Sequence, residues 1–268
     1  MMTNKHSLGG VSRAFSHKKA LIAFVTGGDP TLETTKALLP AMEKAGADLI
    51  EIGIPFSDPI AEGIIIQAAN ERALKNGTTT DKIFKMVSEV RSAVKIPIVF
   101  LTYLNPIYTY GKERFIKECA KCGVEGLIIP DMPFEEKKEL SSICQALDVE
   151  IISLIAPTSH QRIKMIAKEA EGFVYCVSSM GVTGVRSQIE TNLKEMVSHV
   201  KEVANLPCAI GFGIATPKQA REIALISDGA IVGSAIVKLM AKHGESCVPY
   251  VSNYIQAMKA GINQAYEK

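Results

Sequence analysis

Short runs of branched apolar residues recur along the chain, and they alternate with longer stretches whose apolar positions follow a 3.6-residue period. A strand covered on both faces has no polar side, so such runs are typical of parallel strands packed beneath helices. The runs that predict strands span residues 21–25, 49–52, 96–101, 127–129, 151–155, 173–177, 208–212 and 230–232. Eight strand–helix units of this kind indicate a parallel sheet that closes into a barrel.

The stretches between the runs predict crossover helices, among them residues 31–45, 134–147 and 217–226. Further helices are expected over residues 62–75 and 80–94, from about Ser234 to 241, over 245–266, and within residues 1–17, where a helix would close the bottom of the barrel. No linker, charge block or low-complexity tract marks a domain boundary. We therefore expect an α/β protein, a single (β/α)8 TIM barrel with extra helices, over residues 1–268.

The same alternation also fits an open, doubly wound sheet, which binds dinucleotides through a GxGxxG turn. The nearest match, residues 211–216, reads Gly-Phe-Gly-Ile-Ala-Thr and lacks the third glycine. The barrel is therefore the favoured architecture.

Charge and hydropathy restrict the class of partner. The 30 basic and 28 acidic residues give a formal net charge of +2 and form no basic stripe of the kind that binds a phosphate backbone. No segment approaches the roughly 20 apolar residues of a membrane span, and the first twenty residues hold no apolar signal core. We expect a cytoplasmic protein that binds neither nucleic acid nor membrane.

The cysteines and histidines do not predict a metal site. Cys119 and Cys122 have the spacing of one helix face, and no second cysteine or histidine pair completes a zinc site. The five histidines fall within or near helices rather than at strand ends, and no lysine is placed to form a Schiff base there. Acid–base chemistry without a cofactor in this chain is the expectation that remains.

Glu51 interrupts the apolar run of the second predicted strand, close to the end where TIM barrels place their reacting groups. Both faces of a barrel strand are apolar, so the carboxyl group is desolvated in either register and its pKa is raised toward neutrality. We favour a proton-transfer role over the alternative, a structural carboxylate bonded to a neighbouring loop.

Glu62 ends the loop that follows this strand, just before a predicted helix. An acidic residue there also satisfies the free amides of a helix N-terminus, so its position alone leaves a functional and a capping role equally open. The prolines and glycines of the loop indicate a shaped segment that closes over a ligand or meets another protein.

Three later strand ends are rich in glycine, at residues 178–184, 211–213 and 233–234. Glycines let backbone amides approach an anion, and a helix N-terminus adds partial positive charge, so these ends predict a phosphate site. The alternative is a set of tight turns.

Residues 49–63 read Leu-Ile-Glu-Ile-Gly-Ile-Pro-Phe-Ser-Asp-Pro-Ile-Ala-Glu-Gly, which resembles the signature of the tryptophan synthase alpha subunit. Colinear matches lie at residues 24–30, 103–106, 130–133, 181–184, 211–213 and 233–235, so the resemblance spans roughly 15–266. It implies a retro-aldol cleavage of indole-3-glycerol phosphate to indole and glyceraldehyde 3-phosphate. It also implies transfer of the indole to a beta subunit that carries pyridoxal phosphate, within an α2β2 heterotetramer.

The resemblance assigns roles to individual residues. Glu51 would protonate the indole C3 and help remove the glycerol hydroxyl proton, Glu62 would hydrogen-bond the indole N–H, and Tyr175 would be the active-site tyrosine. The implied phosphate contacts are Gly184, Gly213, Gly233 and Ser234. The implied substrate pocket consists of Phe24, Leu101, Tyr103, Thr183 and Phe212. The implied contacts with the beta subunit are Pro55, Asp58, Pro59, Asn105, Asp131 and Pro133.

Two positions depart from the family pattern. Glu62 stands where aspartate is frequent, and Ile64 stands where proline is common after Gly63. One methylene is enough to matter for oriented catalysis, and losing a proline leaves the loop less preorganised. Two alternatives therefore stay open: a subunit that mainly activates its beta partner, and a different phosphosugar lyase or isomerase on the same barrel.

Overall fold

The computed structural model describes residues 10–16, 19–177, 186–211 and 213–266. The strands are β1 Ala20–Thr26, β2 Leu49–Gly53, β3 Ile98–Leu101, β4 Gly126–Ile128, β5 Glu150–Ile155, β6 Val174–Val177, β7 Cys208–Gly211 and β8 Gly229–Val232. The helices are α1 Leu32–Lys44, α2 Ile64–Lys75, α3 Thr80–Val90, α4 Leu104–Tyr110, α5 Lys112–Cys122, α6 Lys138–Ala146, α7 His160–Lys168, α8 Arg186–Lys201, α9 Pro217–Ile226, α10 Ser234–His243 and α11 Val248–Asn263. Short 3-10 helices span Gly10–Phe15, Arg91–Ala93, Phe134–Glu136, Gly244–Ser246 and Gln264–Tyr266.

The strands form a closed barrel in chain order, with every neighbouring pair parallel. Closure is made by β8, which pairs with β1 from Ala20 opposite Gly229 to Ala23 opposite Val232. The predicted TIM barrel is therefore confirmed, and the open-sheet alternative is wrong. All eight C-terminal strand ends consequently meet at one rim, where the loops that follow them can build a common site.

The lower interior of the barrel is a packed apolar cluster. Val11, from the 3-10 helix Gly10–Phe15, is fully buried against this cluster, and its amide donates to Glu150 Oε2 over 3.1 Å. The strand residues of the cluster are Ile22, Leu49, Val99, Ile128, Ile152, Phe173, Ala209 and Ile231. The interior is therefore filled from below, and a ligand can enter only at the opposite rim, where the C-terminal strand ends lie.

The observed elements differ from the predicted ones mainly at their ends. The predicted strand 96–101 begins at Ile98, where pairing with Ile50 of β2 starts. The predicted helix 62–75 begins at Ile64, after Gly63 as N-cap. Helix α4 was not predicted; its first amide, at Leu104, donates to both carboxylate oxygens of Asp131, over 3.0 and 3.1 Å. A cap that lies 27 residues away leaves no local signal.

Candidate active site at the carboxyl ends of the strands

Glu51 lies on β2 and points to the same side as Leu49, into the barrel. Its residue partners across the sheet are Phe24 on β1 and Val99 on β3. Only 1% of Glu51 is exposed, and among the described side chains its Oε2 is one of the few buried oxygens without a hydrogen-bond partner. That oxygen is closed to bulk solvent and has no donor among the described side chains, which disfavours the charged carboxylate.

Burial raises the pKa of Glu51 from its ordinary 4.5 to about 8, and the nearby charge of Glu62 adds to the rise. Loss of hydration is the larger cause, as expected for a carboxyl group in apolar surroundings. Near neutral pH the group therefore exists in both forms and can give and take a proton. The proton-transfer role that the sequence predicts for Glu51 requires a group with this property.

Tyr175 lies on β6, with its ring packed near Phe173 at 6.4 Å between centroids. Burial raises the pKa of its phenol well above the ordinary value, and the charge of Glu51 raises it further. The hydroxyl therefore stays protonated and able to donate a hydrogen bond. A Cβ built on Gly211 of β7 would lie 2.7 Å from the Tyr175 hydroxyl oxygen, so the ring occupies space that only glycine leaves free.

Phe24 forms a wall of the same region. A Cβ on Gly53 would lie 2.8 Å from Phe24 Cζ, and a Cβ on Gly233 would lie 3.2 Å from Phe24 Cδ1. The ring is 3% exposed and packs with Ala69 and Leu101. Two of the predicted pocket residues, Phe24 and Leu101, thus lie together beside Glu51.

Glu62 lies in the loop before α2, and its carboxylate does not cap that helix. Oε2 accepts a hydrogen bond from Asn70 Nδ2 over 2.6 Å, and the Tyr103 hydroxyl also bonds to the carboxylate. Partial burial raises the pKa of Glu62, while the bonds from Asn70 and Tyr103 oppose the rise. Of the two roles left open by the sequence, capping of α2 is not the one observed.

Tyr103 connects this loop to the third strand. It is 1% exposed, its ring is tilted against that of Phe56 at 5.4 Å between centroids, and its hydroxyl accepts from the Ala61 amide over 3.3 Å. Burial, together with the charge of Glu62, raises the pKa of its phenol far above the ordinary value. The hydroxyl is therefore a permanent donor toward Glu62.

The predicted phosphate residues lie only partly within the described chain. Gly233 is the N-cap of α10, and Ser234 is its first residue, so backbone amides at this helix end face the barrel rim. Gly213 is exposed and has a φ of 46°, which favours glycine. Gly184, Thr183 and Phe212 lie outside the described residues.

A cavity of about 480 Å³ opens at the same rim, between the ends of β4, β5 and β6. Ala61, Pro130, Leu154 and Val177 contribute to its lining. Ala61 belongs to the loop that carries Glu62, but Glu51 and Glu62 themselves do not line this cavity.

The residues predicted to face a partner differ in exposure. Asp58, Asn105 and Pro133 are exposed, while Pro59 and Asp131 are half-buried. Pro55 is buried and supports the loop from within. The residues predicted to face a partner did not include two highly exposed apolar side chains of this loop and helix start, Ile60 at 77% and Ile64 at 81%.

Two side-chain contacts of α2 were not predicted from the sequence. Asn70 is 3% exposed, three residues before the buried Ala73, so a polar side chain on an apolar helix face was the available signal. Arg72 pairs with Asp29 through two bonds of 2.8 Å, and Asp29 is fully buried. Nothing local predicts that pair, because its members are 43 residues apart.

Within the described ranges, no group of three or more His, Cys, Asp or Glu side chains is arranged to hold a metal ion. All six cysteines are free and buried. No helix in the part of the chain that the structure describes combines the length and apolar composition of a membrane span.

A family model described as tryptophan synthase alpha chain matches residues 12–263. The chain belongs to the tryptophan synthase alpha chain family. It is 46% identical over 244 residues to the tryptophan synthase alpha chain of Thermoanaerobacter sp. (strain X514), covering 90% of this chain and 93% of the relative. It is 45% identical over 249 residues to that of Lacticaseibacillus casei, covering 93% and 94%.

Solved structures agree with this membership. The crystal structure of the tryptophan synthase alpha chain from Legionella pneumophila subsp. pneumophila superposes with a TM-score of 0.86 at 32% identity, covering 96% of this chain and 98% of that one. A crystal structure of tryptophan synthase from M. tuberculosis gives a TM-score of 0.85 at 29% identity, covering 94% and 98%. The family predicted from residues 49–63, and with it the lyase class, is confirmed.

Proposed function

We propose that this chain cleaves indole-3-glycerol phosphate to indole and glyceraldehyde 3-phosphate, acting as the alpha subunit of a cytoplasmic tryptophan synthase and holding no cofactor of its own. The observation that carries the proposal is Glu51, a buried carboxyl group at the rim of the barrel whose pKa is raised to about 8. Family membership gives the reaction class, and the environment of Glu51 gives the chemistry that this reaction needs.

The cleavage is a proton transfer coupled to the breaking of one carbon–carbon bond. Glu51 in its acid form delivers a proton to the indole C3, and the ring becomes an electron-poor cation. The bond from C3 to the glycerol chain then breaks, its electron pair returns to the ring, and the adjacent hydroxyl loses its proton as the aldehyde forms. The carboxylate left on Glu51 can take up that proton, which restores the acid form.

Glu62 and Tyr175 complete the proposed catalytic set. A carboxylate that accepts the indole N–H stabilises the cationic ring, and Glu62 lies close enough to Glu51 to affect its pKa. Burial and the charge of Glu51 raise the pKa of the Tyr175 phenol, so Tyr175 remains a hydrogen-bond donor. Phe24, Leu101 and Tyr103, with Thr183 and Phe212, would enclose the aromatic ring.

We assign the phosphate group to Gly184, Gly213, Gly233 and Ser234. The support lies at α10, whose first turn leaves backbone amides without helical partners at the end where partial positive charge collects. The phosphate then lies at the ends of β7 and β8, as is frequent in TIM barrels.

The partner we propose is a tryptophan synthase beta subunit, in an α2β2 assembly in which the beta subunit carries pyridoxal phosphate. Ile60 in the loop that ends in Glu62 and Ile64 at the start of α2 are exposed. Asp58 and Asn105, which belong to the predicted interface, are exposed too. Exposed apolar side chains rimmed by polar ones are typical of a protein-binding surface.

The test is release of indole from indole-3-glycerol phosphate by the purified full chain, with and without a beta subunit. Wild type should release indole, and Glu51→Gln should abolish release while it keeps affinity for the substrate. Glu33→Gln, which changes an exposed glutamate on α1, is the matched control and should behave as wild type. Activation of the beta subunit without any cleavage would contradict the proposal, and so would cleavage of a phosphosugar that lacks indole.

A further inference from the structure

We propose that Asn70 is the positioning residue for Glu62: its side-chain amide fixes one carboxylate oxygen so that the other remains directed at the N–H of the indole ring. This inference rests on the proposed function and deepens it. Asn70 itself has no role in the sequence-based predictions.

The contact is short and buried. Asn70 Nδ2 donates to Glu62 Oε2 over 2.6 Å, and Asn70 is 3% exposed. A hydrogen bond to a charged acceptor in such a place is stronger than a surface one, and it is difficult for water to replace. Asn70 therefore holds the carboxylate from the side of α2.

The same helix also holds the backbone of Glu62. Gln67 Nε2 donates to the Glu62 carbonyl oxygen over 2.6 Å. Helix α2 is in turn attached to the end of β1, because Arg72 binds both carboxylate oxygens of the buried Asp29. Helix α2 thus holds both the backbone and the side chain of Glu62, and α2 is itself attached to the barrel.

Glu62 needs a positioning partner because its side chain is flexible. Glutamate has one more rotatable bond than aspartate, so its carboxylate samples more positions unless a partner selects one. Gly63, the N-cap of α2, provides no side-chain cap. Free amides at that helix end would otherwise attract the carboxylate of Glu62 away from the substrate. The bond from Asn70 opposes this.

The decisive measurement is binding, since it does not require turnover. We compare a non-cleavable 3-alkylindole phosphate, which keeps the N–H, with the corresponding benzothiophene phosphate, which lacks it. Asn70→Ala in the full chain should weaken binding of the indole compound about tenfold or more while the benzothiophene compound binds as to wild type. Asn76→Ala is the matched control, because Asn76 lies at the end of the same helix and bonds to the Pro30 carbonyl oxygen.

A second variant gives a pH signature that loss of packing would not give. Asn70→Asp keeps the shape but replaces the donor by a carboxylate next to Glu62. Its deficit in kcat/KM relative to wild type should shrink as the pH falls from 8 to 6, because a carboxylic acid can donate the missing hydrogen bond. A deficit that is equal at all pH values would overturn the proposal.

The outcomes separate this inference from the function on which it rests. If wild type binds neither compound and releases no indole, the proposed function fails. If wild type binds and cleaves normally but Asn70→Ala binds the indole compound as tightly as wild type, only the role of Asn70 is refuted. Equal weakening for both compounds would show a general structural role and would also refute it.

Discussion

Keeping Glu51 inside the barrel should lower the stability of the fold at alkaline pH. Its pKa is raised from 4.5 to about 8, so the folded chain binds the Glu51 proton more tightly than the unfolded chain does. The stabilisation associated with that proton is fully present below pH 4.5 and is lost as the pH rises to about 8. Glu51→Gln keeps the shape without an ionisable group and should escape this loss.

The size of the effect follows from the same two pKa values. At about 1.4 kcal/mol per pH unit, a pKa of about 8 against 4.5 corresponds to at most about 5 kcal/mol. Between pH 5 and pH 8 the loss amounts to about 3 kcal/mol. The group is almost fully buried, so screening by solvent reduces this figure little.

The assay is urea unfolding of both proteins at pH 5 and pH 8. We expect Glu51→Gln to match wild type at pH 5 and to exceed it by about 3 kcal/mol at pH 8. Glu33→Gln changes an exposed side chain in the first turn of α1 and should lower stability by about 0.5 kcal/mol, equally at both pH values. A stability difference between Glu51→Gln and wild type that does not change with pH would show that Glu51 does not have a raised pKa in the folded chain.

Three further predictions concern other parts of the barrel. Burial raises the pKa of Glu150 to about 7, so wild type should lose stability as the pH rises from 5 to 8. Glu150→Gln should escape this loss and gain roughly 1–2 kcal/mol relative to wild type over that range in the same urea assay. Gly211→Ala places a Cβ against Tyr175 and should lower kcat/KM for cleavage about tenfold or more, with an unchanged circular dichroism spectrum. Asp131→Ala removes the cap from α4 and should cost about 1 kcal/mol of stability and weaken activation of a beta subunit, whereas Asp131→Asn, which keeps one acceptor oxygen, should lose less.

The sequence was sufficient for the barrel because the alternation of apolar runs and helices is a local property. The ends of the strands were harder to predict, because pairing with a neighbouring strand fixes them. Strand β3 begins at Ile98, which lies opposite Ile50, and not at Ile96, where the apolar run begins. Helix α4 was missed for a related reason, because Asp131 reaches its first amide from the next strand end.

The candidate site divides in the same way. Glu51 could be identified from the sequence because a carboxylate in an apolar run is a local anomaly. Its burial at the rim explains its raised pKa. The role of Asn70 could not be predicted from the sequence, because it depends on how α2 lies against the loop that carries Glu62. The roles of Thr183, Gly184 and Phe212 stay predictions.

The proposed cleavage requires Glu51 to be a carboxyl group able to exchange a proton near neutral pH. The direct measurement is a 13C NMR titration of the full chain with labelled glutamate carboxyl carbons, in which the signal absent from Glu51→Gln identifies Glu51. We expect a titration midpoint of about 8 for that signal. A midpoint near the ordinary value of 4.5 would contradict it.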